Sequence, residues 1–113
     1  MSRDDGYVLD MLRAATLARD FGTACGQTAF LDDVKTQSAV LHQLTVLGEA
    51  VRRVSPPFRE AHPQVPWTNI AGLRSRIIHD YDDIDLDQVW EVVERDLPAL
   101  IPALELIAKT EPS

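Results

Sequence analysis

Val40, Leu44, Leu47, Val51 and Val54 recur at steps of four, three, four and three. That spacing keeps five large apolar side chains on one stripe of an α-helix and breaks the two-residue alternation of a half-buried strand. Such a stripe has little stability alone and must be covered by other helices. Gly48 lies beside it. Glycine inside a helix costs about 1 kcal/mol relative to alanine, and the close approach of a neighbouring helix is a physical reason to keep it. The seam therefore predicts an all-helical domain.

The flanking sequence supplies the partners. A first helix is expected from about Asp4 to Ala24, capped by Ser2 or Asp4. Its inward face is Val8, Met11, Leu12, Ala15, Ala18 and Phe21, and Gly22 and Gly26 mark its end. The seam helix starts near Asp32 or Asp33 and is stopped by Pro56 and Pro57. Residues 55–66, SPPFREAHPQVP, read as a proline-rich connection holding one helical turn. A third helix runs from Trp67 to about Asp80 with Pro66 at its entry. After the acidic turn DYDDID, Asp83 or Asp85 caps a last helix with an apolar stripe of Leu86, Val89, Trp90, Val93, Leu97, Leu100, Ile101 and Leu104. Pro98 and Pro102 inside that stripe predict a kink or a break. No Asn-Gly or Asp-Gly hairpin turn is present. The expected architecture is all-α: an antiparallel four-helix bundle with a short extra helical turn, one domain over residues 1–113.

Composition narrows the function classes. No apolar run approaches the roughly 20 residues of a membrane span. The start, MSRDDGYVLD, lacks the basic beginning and apolar core of a signal peptide, so a soluble cytoplasmic protein is expected. A formal charge of −7 argues against a surface built for general nucleic-acid binding but leaves room for a local basic site. Cys25 is the sole cysteine and has no disulfide partner. His42 and His62 lack spaced ligands and read as surface residues. The run from Asp80 to Glu91 fails as a calcium loop, since Ile84 stands at its fifth position and Asp85 at its sixth, where glycine is needed. No metal and no cofactor are expected.

The chemistry lies in the third helix. With Trp67 as zero and about 100° per residue, Ile70, Ala71, Ile77, Ile78 and Tyr81 fall within about 80°, and Arg74 lies near the centre of that arc. An inward guanidinium cannot lose its proton, so it must be paired or put to use. Gly72, Ser75, Arg76 and His79 form a second stripe, with small residues leaving a shallow groove beside Arg76 and His79.

The segment Arg74-Ser75-Arg76-Ile77-Ile78-His79-Asp80-Tyr81 has the form Arg, four residues, His, any residue, Tyr. It resembles the signature of HepT-like ribonuclease toxins within the HEPN superfamily. Leu47-Gly48-Glu49-Ala50, Val65-Pro66-Trp67 with Ile70, Gly72 and Val89-Trp90 resemble further landmarks of that family in the same order. Ser75 stands where the family usually has asparagine. The resemblance implies a homodimer that cleaves RNA without metal at a composite site, Arg74 and His79 being the catalytic pair and Ser75 and Arg76 their supports. Histidine takes or gives a proton near neutrality, and a guanidinium stabilises charge gathering on phosphate oxygens. The resemblance also implies a nucleotidyltransferase antitoxin as partner, with Tyr81 as the residue it adenylylates. Arg52 and Arg53 follow Glu49 by three and four positions, as helical ion pairs or as flanking contacts to RNA. The competing reading is a non-catalytic helical module that binds a nucleotide or a protein, with Arg74 kept for structure.

Overall fold

A computed structural model describes residues 2–110. Seven α-helices are present among them, with no strand: α1 Arg3–Thr23, α2 Gly26–Asp32, α3 Val34–Arg53, α4 Pro56–Ala61, α5 Trp67–His79, α6 Leu86–Glu91 and α7 Leu97–Thr110. A 3₁₀ turn, Tyr81–Asp83, follows α5, and a π-helical turn, Val92–Asp96, joins α6 to α7. The chain is all-α, as the seam predicts. α1 packs against both α3 and α7, and α5 packs against α3.

Caps set the starts of the helices. The Ser2 hydroxyl accepts from the Asp5 amide and the Asp5 carboxylate accepts from the Ser2 amide, both at 3.1 Å, a reciprocal box that satisfies two donors. Asp33 opens α3 by accepting from the Lys35 amide at 3.1 Å and the Thr36 hydroxyl at 2.6 Å. Asp85 opens α6 by accepting from the amides of Asp87 and Gln88. Asp4 also ties α1 to the far end of α3, accepting from the Ser55 amide at 2.8 Å and the Ser55 hydroxyl at 2.7 Å.

The seam residues Val40, Leu44, Leu47, Val51 and Val54 are all buried. In α1 the buried line runs Val8, Met11, Ala15, Ala18 and then Gly22. Phe21, expected to face inward, is 39% exposed. α1 ends at Thr23, between Gly22 and Gly26 as expected, and a Cβ at position 22 would stand 2.6 Å from Val93 Cγ1, so that glycine also lets α1 close on the π turn. Gly26, with φ of 83°, supplies the left-handed residue from which α2 starts. α2 is too short for a periodic signal, yet it seats Phe30 in the core with its ring 5.6 Å from that of Trp90. His62 is part of the turn before α5, not a plain surface residue: its ring lies 4.5 Å from Phe58 and its carbonyl accepts from the Trp67 indole at 2.9 Å.

The distortion expected at Pro98 and Pro102 lies just before both, as the π turn, where the Leu97 amide reaches back to the Val92 carbonyl. Pro98 then sits in the first turn of α7, and the wider turn behind it relieves the clash of its ring with the preceding carbonyls. α7 continues through Pro102 to Thr110. Among the described residues no helix is long and apolar enough to cross a membrane.

Candidate functional site

α5 meets α3 at one point of closest approach. A Cβ on Gly48 would stand 2.3 Å from the Cβ of Arg74 and 3.0 Å from its Cγ and Cδ. The missing side chain at position 48 is thus filled by the stem of Arg74. The arginine is half-buried, its side chain 19% exposed, and it lies within the apolar face of α5, between Trp67 and Ile70. From there its Nη2 reaches the Glu49 Oε2 at 2.9 Å. Its Nε is buried without an acceptor, a net cost of about 1–3 kcal/mol that other contacts of the side chain must offset.

Glu49 serves more than Arg74. Arg52 Nη1 stands 3.5 Å from Oε2, and Arg53 Nη2 stands 3.4 Å from Oε1. One carboxylate faces three guanidinium groups, so the cluster keeps a positive excess on a chain that is acidic overall. Sequence reasoning finds the pairs with Arg52 and Arg53 from helical spacing but misses Arg74 as the third partner, since that contact joins two helices. The signal available was the Gly48-Glu49 step beside the seam.

The other members of the segment spread around α5. Ser75 and His79 are exposed and, being four residues apart, share one stripe. His79 is the last residue of the helix, where a basic ring suits the negative end of the helix dipole. Arg74 lies about 140° from it around the axis. No hydrogen bond or ion pair joins Arg74 to His79 among the described residues. Arg76 lines a groove with Thr68, Gly72 and Leu73, which Ser75 and His79 do not line. Ile78 and Tyr81, expected to face inward, are 46% and 54% exposed: Ile78 falls on the far side of Trp67 from Ile70 and Ile77, and Tyr81 lies past the end of α5, in the 3₁₀ turn. The Tyr81 ring therefore stands in solvent beyond the end of α5.

The arrangement offers an anchored guanidinium, an exposed imidazole and an exposed hydroxyl on one helix, bordered by two further arginines. Such groups hold a phosphate and move a proton.

The family model described as Ribonuclease HepT-like matches residues 11–107. The chain is similar to a Thermococcus cleftensis protein named Probable ribonuclease HepT, 34% identical over 103 residues that make up 91% of this chain and 94% of that one. Two Methanocaldococcus jannaschii proteins with RNase in their names are also similar. One is 37% identical over 103 residues, 91% of this chain and 85% of its own length. The other is 32% identical over 109 residues, 95% of this chain and all of its own. No solved structure matches. With its matched span running from α1 to α7, the chain belongs to the HepT-like ribonuclease family.

Proposed function

We propose that this chain is the toxin of a toxin–antitoxin pair, a cytoplasmic endoribonuclease that cuts RNA without a metal ion. It works as an antiparallel four-helix bundle of the HEPN type, paired with a second copy so that two α5 helices border one cleft. The observation that carries this reading is the placement of Arg74: set on Gly48, held by Glu49, and on the same short helix as an exposed His79, in a chain of the HepT-like family.

In the reaction, His79 takes the proton of a ribose 2′-hydroxyl as its oxygen attacks the adjacent phosphorus. The bond from phosphorus to the 5′-oxygen breaks, that oxygen takes up a proton, and the products are a 2′,3′-cyclic phosphate and a 5′-hydroxyl. Arg74 stabilises the negative charge on the non-bridging oxygens. Ser75, one turn before His79, donates to the phosphate or orients the imidazole, and Arg76 steadies the RNA at the rim. Arg74 and His79 do not meet within one chain, and pairing of the copies supplies the missing member from the neighbour. Tyr81, exposed beyond the helix, is the residue a nucleotidyltransferase antitoxin adenylylates; phosphate and adenine beside the pair would block RNA and compete for Arg74.

One observation favours the non-catalytic reading. The packing on Gly48 and the pair with Glu49 give Arg74 a structural task of its own. Purified protein incubated with total RNA and a chelator separates the two. The enzyme leaves cyclic phosphate ends and loses this activity in His79→Ala. Equal products from the wild type and His79→Ala would reject it.

A further inference from the structure

α5 packs on α3 while α7 packs on α1, and a trough of about 840 Å³ lies open between α5 and α7. Its floor is apolar, made by Leu47, Ile70, Leu73, Leu97 and Leu100. It continues into a hollow of about 190 Å³ beside the acidic turn, since Leu73, Arg76 and Val92 line both. Asp80, Asp83 and Asp85 stand on the hollow and Asp96 on the trough, against Arg76 as the sole cation of either lining. Asp85 is engaged as the cap of α6, whereas Asp80, Asp83 and Asp96 have no ion pair among the described residues.

The walls suit a helix. Gly72 on α5 has open space where its side chain would be, and Ala99 and Ala103 face it from α7. Small residues on both sides let a third backbone settle between the two helices. On the α5 side the trough and hollow together are lined from Thr68 to Asp80, about 18 Å or roughly three helical turns. Its carboxylates repel a phosphate backbone and disfavour a second copy of a chain carrying −7.

We infer that this trough docks a basic amphipathic helix of a partner polypeptide, its apolar stripe on the leucine floor and its Lys or Arg residues against Asp80, Asp83 and Asp96. The inference does not rest on the ribonuclease reading, because the trough lies across α5 from Arg74.

The test uses a synthetic 14-residue peptide of leucine and lysine with its leucines on one helical face, and a leucine–glutamate counterpart, with binding followed by fluorescence anisotropy. The whole protein is expected to bind the lysine peptide at least about tenfold tighter than the glutamate peptide, with affinity falling as salt rises. A Cβ at position 72 meets nothing within 4 Å in the free chain, so Gly72→Leu extends into the open space of the trough. It should keep or raise the urea midpoint while weakening the lysine peptide by about tenfold or more. The triple change Asp80→Asn, Asp83→Asn, Asp96→Asn should weaken it similarly and remove most of its salt dependence. Absence of binding to the wild type, or unchanged binding by Gly72→Leu, overturns the inference. So does conversion of a dimer to a monomer by Gly72→Leu, which would give the trough to a second copy.

Discussion

Gly48 and Arg74 form one contact: the stem of the arginine occupies the space a Cβ at position 48 would need, to within 2.3 Å. Backbone meets stem there, and the guanidinium emerges beside Glu49. Gly48→Ala gains about 1 kcal/mol of helix propensity but forces α3 and α5 apart, and overpacking of this kind costs about 1–3 kcal/mol. The expected outcome in urea unfolding is a net loss of stability despite the better helix former, together with reduced RNA cleavage. A variant at least as stable as the wild type, with full cleavage, would contradict the contact's importance.

Glu49 holds Arg74, Arg52 and Arg53 at once, so it competes with phosphate for all three. Glu49→Gln keeps the shape and removes the charge. The pairs with Arg52 and Arg53 are solvent-exposed while the one with Arg74 is largely shielded, so stability should fall by about 1 kcal/mol. RNA binding, measured at fixed salt in a His79→Ala background, should tighten by about two- to fivefold. Weaker binding would mean that Glu49 orients the arginines for RNA instead of competing with it.

The start of α3 responds to acid in a defined direction. The Thr36 hydroxyl first, then the amides of Lys35 and Thr36, hold the Asp33 carboxyl below its ordinary range. A depressed carboxyl contributes its stability in full above the unfolded value and loses it as pH falls through the lower folded value. Amide exchange at Lys35 and Thr36, relative to a neutral helix end, should therefore accelerate as pH drops through and below the ordinary aspartate range. Asp33→Asn should lack that dependence.

The sequence made the long helices legible because their punctuation is local. Ser2, Asp33 and Asp85 each act within three residues, and the seam from Val40 to Val54 repeats often enough to declare its period. What escaped depends on contacts far along the chain. Gly22 stands near the end of α1 but also makes room for Val93, which no local pattern announces, and α2 carries one buried residue, Phe30, too few to show a period. The strain of Pro98 is relieved one turn earlier than the residue that causes it. In the candidate site, Arg74 and His79 stand out as residue types at a fixed spacing. The tie of Arg74 to Glu49 is tertiary, and no spacing within α5 encodes it.

Tyr81 stands 54% exposed. Removing its hydroxyl should leave stability within about 0.5 kcal/mol of the wild type. After co-expression with a nucleotidyltransferase antitoxin, mass spectrometry should find added adenylate on the wild type and none on Tyr81→Phe. Adenylate persisting at another residue of Tyr81→Phe would move the regulatory site.

In the proposed dimer, one scissile phosphodiester is served by Arg74 of one copy and His79 of another. Arg74→Ala and His79→Ala, each inactive alone, should therefore regain RNA cleavage in chelator when mixed under conditions where protomers exchange. A mixture that forms mixed dimers and stays as inactive as either variant would contradict it.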